Sequence, residues 1–256
     1  MSAAAIETHG LRKEFGEFVA VDGIDLLVPR GSFYGFLGPN GAGKSTTIKV
    51  LTGLLRPSGG TFRILDIDPT ADPVAVKRKI GVVPEDLALF DRLTGAEHLA
   101  FTGQVHGIDR ANIKARSAEL LELMDLKAAA GDLVADYSHG MRKKIALATA
   151  LLPAPRLLFL DEPFEGIDAV ASRQIKDLLA TFVRSGGTVF LTSHILEIVE
   201  RLCDHVGIIQ RGKLVAQGSL DALRAGGAAG LTLEERFLEI VGADRAQAKS
   251  IDWLAG

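Results

Sequence analysis

Apolar runs and helical patterns alternate along the chain, and this alternation indicates the fold class. Short apolar runs of about four to eight residues, bounded by Gly, Pro or charged residues, are typical of buried strands. The chain has such runs within residues 32–38, 79–86, 156–162, 188–193 and 206–210. Helical spacing follows the first of them, over residues 43–54. Apolar strands that alternate with helices predict an α/β fold with a mostly parallel sheet covered on both faces.

A long helical segment interrupts these strands. From residue 94 to about residue 152 the spacing is helical, and four apolar residues share one face of its central part: Ile113, Leu120, Leu121 and Met124. We therefore predict an inserted helical subdomain over residues 87–154, within a core formed by residues 1–86 and 155–218. Residues 219–256 predict a C-terminal helical tail, with two helices joined by a flexible linker at 225–230.

Composition and charge narrow the classes of protein that fit this pattern. Apolar residues make up 47% of the 256 residues, enough for a sizeable core. The net charge is −3, from 29 Lys and Arg against 32 Asp and Glu, so we expect no basic surface for nucleic acid. The single cysteine, Cys203, excludes an internal disulfide and fits a reducing compartment.

The sequence predicts no segment that enters a membrane. The nearest candidate, at 145–160, contains Pro153, Pro155 and Arg156, and no window reaches the ~20 apolar residues of a spanning helix. The first ten residues lack the basic and apolar regions of a signal peptide. We therefore expect a protein that is soluble by itself and reaches a membrane only through a partner.

The sequence between the first apolar run and the first helix matches a phosphate-binding pattern. Gly38, Gly43, Lys44 and Ser45 fit the spacing G-x-x-x-x-G-K-[ST]. Glycines allow several backbone N–H groups to point at phosphate oxygens, and the following helix directs the positive end of its dipole at them. We predict that ATP binds this phosphate loop, residues 38–46, through Gly38, Pro39, Asn40, Gly41, Ala42, Gly43, Lys44, Ser45 and Thr46.

Four side chains have predicted roles in hydrolysis. Lys44 is expected to reach the β- and γ-phosphates, and the Ser45 hydroxyl to ligate Mg²⁺. The apolar strand at 157–160 delivers Asp161 and Glu162 to the edge of the sheet where ligands bind. Asp161 is expected to hold Mg²⁺, and Glu162 to accept a proton from the attacking water. The alternatives are a glycine-rich turn that precedes Lys-Ser by chance and a solvated acidic turn.

Residues 136–152 distinguish this chain from other phosphate-loop proteins. The segment DYSHGMRKKIALATALL resembles the signature motif of ATP-binding cassette (ABC) ATPases, in a variant similar to that of ABC-2-type exporter ATP-binding proteins. Ser138 and Gly140 are retained, whereas His139 replaces the first glycine of the usual Leu-Ser-Gly-Gly-Gln. An N-cap at Ser138 would leave helix N–H groups available to an anion. The resemblance implies that they complete the ATP site of a second subunit in a head-to-tail dimer; an ordinary capped helix is the alternative.

The resemblance also implies a fold and further site residues. The fold is a P-loop (RecA-like) ATPase core with an antiparallel β subdomain and an inserted helical subdomain. Phe15 matches an aromatic residue that stacks on adenine, although a core phenylalanine is the alternative. Glu85 takes the place of a catalytic glutamine that senses Mg²⁺ and the attacking water, and a carboxylate there can ligate Mg²⁺. Asp168 matches an aspartate that contacts the opposite subunit, and His194 a histidine that contacts the γ-phosphate.

Three functions fit such a cassette: the ATPase subunit of an ABC transporter, a soluble ATPase acting on ribosomes, and a DNA-repair ATPase. The second class normally has two cassettes with a charged linker, and the third inserts long coiled coils between its motifs. This sequence has one cassette, and no sustained heptad pattern lies between Lys44 and Ser138. The resemblance therefore implies a transporter subunit, and residues 233–242 are similar to the end of exporter ATPases.

A transporter subunit implies partners and a location. ATP would drive dimerisation, as a homodimer or as a heterodimer with a similar ATPase, and this would power a separate integral membrane permease. The helical subdomain and the segment after Glu85 would form a groove for a short helix of the permease, with Leu87, Leu89 and Phe90 as contacts. The chain would lie on the cytoplasmic side of the cell membrane, held there by the permease, and no nucleic acid is expected to bind.

Overall fold

The structure is a computed structural model that describes residues 4–225 and 233–240. The strands are β1 (Ala4–Phe15), β2 (Phe18–Ile24), β3 (Leu27–Pro29), β4 (Phe33–Leu37), β5 (Gly59–Ile64), β6 (Ile80–Val83), β7 (Leu157–Asp161), β8 (Thr188–Ser193), β9 (His205–Gln210) and β10 (Lys213–Ser219). The helices are α1 (Lys44–Leu51), α2 (Pro73–Lys77), α3 (Gly95–Val105), α4 (Arg110–Leu123), α5 (His139–Leu151), α6 (Ala169–Arg184), α7 (Leu196–Leu202), α8 (Leu220–Ala225) and α9 (Leu233–Ile240), with a 3₁₀ helix at Val134–Asp136.

A six-stranded sheet forms the centre of the described fold, in the order β10-β9-β4-β8-β7-β6. The strands from β9 to β6 run parallel, and β10 pairs antiparallel with β9. Every residue of β4, β7 and β8 is buried, as expected for parallel strands covered on both faces. The residues that follow these strands therefore meet at one edge of the sheet, the edge at which ligands bind in such folds.

Aromatic rings join the three central strands. The ring of Phe190 on β8 lies 5.6 Å from that of Tyr34 on β4, 5.3 Å from that of Phe36 on β4 and 5.7 Å from that of Phe159 on β7. All four residues are fully buried. Buried aromatic pairs contribute more than the area that they bury, so this layer holds the strands that carry the site.

A second sheet has four described strands, with β1 paired antiparallel to β2, β3 and β5. Its buried face shares a core with α1 and the central sheet, through residues such as Ile6, Ile48 and Phe36. This sheet, the parallel core and the helices inserted between β6 and β7 confirm the predicted fold class.

The inserted helices α3, α4 and α5 share an apolar core with one face of the central sheet. Three residues of the predicted apolar face, Ile113, Leu121 and Met124, are buried, and Leu120 is half-buried. Leu120, Leu121 and Met124 pack in one cluster with side chains of α5 and of the central sheet. The subdomain is thus attached to the sheet through continuous packing, and the bounds proposed for it, 87–154, stay a prediction.

The tail contains α8 and α9, as the sequence predicts, and both helices contact elements of the core or each other. Residues 226–232 and 241–256, which include most of the predicted linker, lie outside the described residues. Over residues 4–225 and 233–240, no helix combines the length and the apolar character needed to cross a membrane.

Candidate nucleotide site

Two glycines of the phosphate loop are required by the backbone segments that approach it. Gly43 has a φ of 109°, and a Cβ there would lie 2.4 Å from the carbonyl oxygen of Ala20. A Cβ on Gly38 would lie 2.3 Å from the carbonyl oxygen of Ile209. Helix α1 begins directly after the loop, at Lys44. Its first N–H groups have no acceptor within the helix and are available to an anion in the loop.

The Lys44 side chain is buried and folded back over the loop. Its Nζ donates hydrogen bonds to the carbonyl oxygens of Gly38, at 2.7 Å, and Pro39, at 3.4 Å. The same Nζ lies 3.6 Å from Oε1 of Glu162, which is also buried. Buried charges need partners of this kind. The ion pair therefore places the predicted base beside the loop.

Glu162 has an unusual backbone conformation. Its φ is 47°, in the left-handed region that non-glycine residues rarely adopt and that is enriched at functional sites. Oε2 of its carboxylate lies 3.1 Å from Nδ1 of His194, which follows β8. Apart from the ion pair with Lys44, Oε1 has no hydrogen-bond partner among the described residues. The structure thus brings Glu162, His194 and Lys44 together, as the sequence predicts.

Thr192 fixes both acidic residues and was not identified by sequence reasoning. Its hydroxyl donates a hydrogen bond to Oδ1 of Asp161 at 2.5 Å, and its Oγ1 accepts one from the backbone N–H of Glu162 at 3.0 Å. Asp161 and Thr192 are directly paired in the parallel register of β7 and β8. The position of Asp161, the predicted Mg²⁺ ligand, therefore depends on the neighbouring strand β8.

Glu85 adds a carboxylate to the same edge of the sheet. It follows β6 and is largely exposed. Its pKa is raised, first by partial burial and then by the nearby carboxylates of Asp161, Glu165, Asp86 and Glu162. So much negative charge on one edge favours a bound cation, and Glu165 is a member of this group that the sequence motifs did not indicate.

A cavity of about 380 Å³ joins the phosphate loop to several of these groups, but Asp161 and Thr192 are not among its described lining. It is lined by Phe18, Ala20, the loop residues from Pro39 to Thr46, Glu85, Glu162, Glu165 and His194. Phe15 pairs with Phe18 across β1 and β2 and is 47% exposed, so its interpretation as a core residue is wrong. The Lys13 ammonium lies 4.9 Å from the centroid of the Phe15 ring. Of the two aromatic residues, only Phe18 is among the described residues that line the cavity, and sequence reasoning did not identify it. The role of Phe15 at the adenine stays a prediction.

Ser138, Gly140 and Asp168 form a second group, and none of them is among the described residues that line the cavity. Ser138 caps α5 by accepting a hydrogen bond from the N–H of Met141 at 3.3 Å. Asp168 caps α6, and the N–H groups of Ala171 and Val170 lower the pKa of its carboxyl. A Cβ on Gly140 would lie 3.5 Å from Oδ2 of Asp168. The two helix N-termini are thus neighbours, and their predicted site residues lie outside the described lining of the cavity.

The fold and the cavity define a P-loop ATPase. The family model described as "ABC transporter" matches residues 21–165, and the chain belongs to this family. The predicted family and an ATPase activity are thereby confirmed, and the chain is an ABC-type ATP-binding subunit. The alternative of a soluble ATPase acting on ribosomes or DNA receives no support from the relatives found.

Two relatives are similar over most of the chain. The daunorubicin/doxorubicin resistance ATP-binding protein DrrA of Streptomyces peucetius is 42% identical over 221 residues, which cover 86% of this chain and 67% of that protein. The linearmycin resistance ATP-binding protein LnrL of Bacillus subtilis is 38% identical over 214 residues, which cover 84% of this chain and 69% of that protein.

A solved ATP-binding subunit of an ABC transporter has a TM-score of 0.87 and 31% identity, over 92% of this chain and 99% of its own. The ATP-binding cassette MJ0796, solved as a dimer bound to ADP and Pi, has a TM-score of 0.77 over 84% of this chain and 98% of its own. Because the identity is 24%, this likeness shows a shared fold alone.

Proposed function

We propose that this chain binds and hydrolyses ATP with Mg²⁺, dimerises head to tail when ATP is bound, and drives export through a separate integral membrane permease. One observation carries the proposal. The phosphate loop, Glu162 and His194 share one cavity, whereas the capped helix at Ser138 lies outside it. A single chain therefore holds two halves of a nucleotide site that do not meet within it.

The residues at the cavity fit a magnesium nucleotide. The Lys44 ammonium would move from the loop carbonyls to the β- and γ-phosphates, while Ser45, Asp161 and Glu85 would hold Mg²⁺. Within the described residues, no three His, Cys, Asp or Glu side chains are arranged to hold a metal alone, so phosphate oxygens and water would supply other ligands. Bound Mg²⁺ would neutralise charge on the phosphates. The clustered carboxylates suit Mg²⁺, and the loop N–H groups suit the phosphates.

Glu162 is suited to be the general base. Its Oε1 has no hydrogen-bond donor among the described residues, so this oxygen can accept a proton from water. As that water attacks the γ-phosphorus, its proton passes to Glu162, the bond to the β-phosphate oxygen breaks, and ADP and phosphate result. His194 would orient the carboxylate through its 3.1 Å contact and reach the γ-phosphate. Phe15 would stack on the adenine.

In the proposed dimer, Ser138, Gly140 and Asp168 of one subunit complete the site of the other. The Ser138 hydroxyl and the N-terminal N–H groups of α5 form an anion site, which the γ-phosphate of the opposite subunit's ATP would occupy. Asp168 lies beside this site and would contact the opposite subunit. The partner is a second copy of this chain or a similar ATPase.

We propose that the permease docks in a second cavity, of about 610 Å³, between the core and the helical subdomain. Exposed apolar side chains of Leu54, Val74 and Val105 line it, and Lys77 and Arg78 add positive charge. A short amphipathic helix that carries an acidic residue matches this surface. Of the contacts predicted from sequence, Leu87 is buried in the core, Leu89 is half-buried against it and Phe90 is 53% exposed; none of them is part of this lining.

The proposed cargo is a drug-like compound, because the two relatives above are drug-resistance proteins by name. The cargo would pass through the permease and not through this chain. Such a subunit would be a peripheral protein on the cytoplasmic face of the membrane, held there by the permease.

ATP binding is tested with Lys44→Ala. This variant removes a charge-assisted contact with the phosphates worth ~1.5–3 kcal/mol, and ATP affinity and turnover should fall accordingly. Lys49→Ala is the matched control, because Lys49 lies on the same helix but is exposed and outside the cavity lining. Unchanged affinity and turnover in Lys44→Ala would refute the site assignment.

Membrane docking is tested by co-expression with the permease and fractionation. The chain should be soluble when it is expressed alone and should sediment with membranes when the permease is present. Val105→Glu should return it to the soluble fraction with ATP binding intact, whereas Leu123→Glu, another exposed apolar residue outside the cavity lining, should not. A native pull-down that returns only ribosomes or nucleic acid would contradict the transporter function.

A further inference from the structure

Lys143 is a buried lysine that is not among the described lining of the nucleotide cavity. It lies on α5, five residues after the Ser138 cap, and only 6% of it is exposed. Its Nζ donates a hydrogen bond to the backbone carbonyl oxygen of Glu162 at 2.8 Å. Lys143 lines a small cavity together with Leu147 of its own helix and with apolar residues of other elements: Val83, Leu160, Pro163 and Ile175.

The surroundings of Lys143 have opposing effects on its charge. Burial lowers the pKa of the ammonium, and the carboxylates of Glu165, Glu162 and Glu85 raise it in part. These three carboxylates all line the nucleotide cavity, and Asp161 adds a fourth nearby. A buried cation costs desolvation free energy unless charges of opposite sign compensate it, so this lysine and these carboxylates depend on one another.

Glu85 contributes to this dependence. Its side chain adds a negative charge where a glutamine would be neutral, and that charge lies near the carboxylates of Asp161 and Glu162. Lys44 is expected to engage the phosphates when ATP binds, which weakens its ion pair with Glu162. Lys143 does not depend on that ion pair, because its ammonium is held near the acidic group by the hydrogen bond to the backbone carbonyl oxygen of Glu162.

We propose that Lys143 is a positioning residue for ATP hydrolysis, which holds the backbone of Glu162 in place and offsets the negative charge that Glu85 introduces. This inference rests on the proposed role of Glu162 as the base. If Lys143 has this role, the need for a cation at position 143 depends on the charge at position 85. If Lys143 only fills space in the core, it does not.

The test is a double-mutant comparison of steady-state ATP hydrolysis. Lys143→Met keeps the length and apolar stem but removes the charge, and Lys143→Gln keeps a hydrogen-bond donor without the charge. Each is measured with Glu85 and again with Glu85→Gln, as kcat and KM for ATP. With Glu85 present, we expect kcat to fall by about 10- to 100-fold, as for partners that orient a ligating or reacting group, with KM nearly unchanged. With Glu85→Gln, the fold-decrease in kcat should be at least about twofold smaller. A twofold difference corresponds to the lower limit of the coupling measured between residues of one network.

Lys144→Met is the matched control. Lys144 is also buried and is the next residue on α5, but its charge acts on Asp168. The fall in kcat caused by Lys144→Met should therefore be the same with Glu85 and with Glu85→Gln. Urea denaturation establishes that each variant is folded, and if Lys143→Met fails to fold, Lys143→Gln provides the same comparison.

Equal losses for Lys143→Met in both backgrounds, or full activity of Lys143→Met with Glu85 present, would overturn the inference. The proposed function has a separate test in Glu162→Gln. If Glu162→Gln is inactive and the coupling between positions 143 and 85 is absent, only this inference fails. If Glu162→Gln hydrolyses ATP at the normal rate, the assignment of the base fails.

Discussion

Thr192 and Asp161 lie opposite each other on neighbouring parallel strands, and the threonine hydroxyl donates a 2.5 Å hydrogen bond to the aspartate. The same oxygen accepts the N–H of Glu162, at the point where the backbone turns into the left-handed region. One buried side chain thus orients both acidic groups of the site, and its removal should affect chemistry more than ATP binding.

Thr192→Val tests this relationship. Valine has almost the same shape, but it cannot bond Asp161 and leaves the buried N–H of Glu162 without an acceptor. Partners that orient metal ligands typically contribute about 10- to 100-fold, and we expect a loss of that size in kcat and in the apparent affinity for Mg²⁺. Thr192→Ser keeps the hydroxyl and should retain most of the activity. Steady-state hydrolysis across a Mg²⁺ titration measures both effects, and normal turnover of Thr192→Val would exclude the role.

Phe15 is expected to stack on the adenine of ATP. Stacking of a base on an aromatic side chain is worth ~1–3 kcal/mol, so Phe15→Ala should weaken ATP binding by about 5- to 150-fold. Phe15→Tyr keeps the ring and should bind normally. Calorimetry with ATP and with tripolyphosphate separates the contribution of the adenine to affinity from that of the phosphates. Because tripolyphosphate has no base, it should bind Phe15→Ala as tightly as it binds wild type. If Phe18→Ala weakens ATP binding and Phe15→Ala does not, the stacking residue is Phe18, which lines the cavity.

Tyr34 has a buried hydroxyl with no hydrogen-bond partner in the described part of the chain. An unsatisfied buried polar group costs ~1–3 kcal/mol. Tyr34→Phe removes the hydroxyl but keeps the ring against Phe190, so we expect the free energy of unfolding to rise by about 1 kcal/mol. Urea denaturation at neutral pH measures the change, and a destabilised variant would show that the hydroxyl has a favourable contact.

Alkaline pH provides a second test of Tyr34. Burial raises the pKa of this phenol above its ordinary value of 10.0, so the native state keeps a proton that the unfolded chain releases. The stability that this retained proton contributes is complete below the pKa of the unfolded chain and declines as the pH rises beyond that pKa. Between about pH 9 and 11, wild type should therefore lose more stability than Tyr34→Phe. Identical pH profiles would contradict this.

Contiguous motifs made the phosphate loop and the Asp161–Glu162 pair predictable. The residues that neighbouring strands supply were harder to find. Thr192 is 31 residues from Asp161, and only the pairing of β7 with β8 brings them together. Within the segment LTSH, nothing in the sequence separates Thr192 from Ser193 as the partner. Side chains that act across strands need the register of the sheet, which periodicity does not provide.

For the fold as well, local patterns were predictable from the sequence, whereas pairings between distant segments were not. Alternating apolar runs and helices predicted the parallel core, because each buried strand is a local pattern. The pairing of β1 with β2, β3 and β5 joins segments that are distant in the chain, and hydrophobic spacing alone does not specify it. Lys143 is a further example, since a lysine in a helix is usually solvated and its burial follows from how α5 packs on β6.

The central claim is that ATP joins two subunits by filling a site that Ser138 of one completes for the other. Glu162→Gln keeps the size of the side chain but cannot accept a proton, so it should slow hydrolysis by about 10²–10⁴-fold while ATP still binds. Unhydrolysed ATP should then hold this variant as a dimer. Adding Ser138→Arg places a bulky side chain in the shared site and should restore the monomer without abolishing ATP binding.

Light scattering of Glu162→Gln, with and without Mg-ATP, is the most direct measurement of this claim. The account predicts a monomer without nucleotide, a dimer with Mg-ATP, and a monomer under both conditions once Ser138→Arg is added. A double variant that remains dimeric with Mg-ATP would show that Ser138 is only a helix cap, and a Glu162→Gln variant that binds Mg-ATP but stays monomeric would contradict the shared site itself.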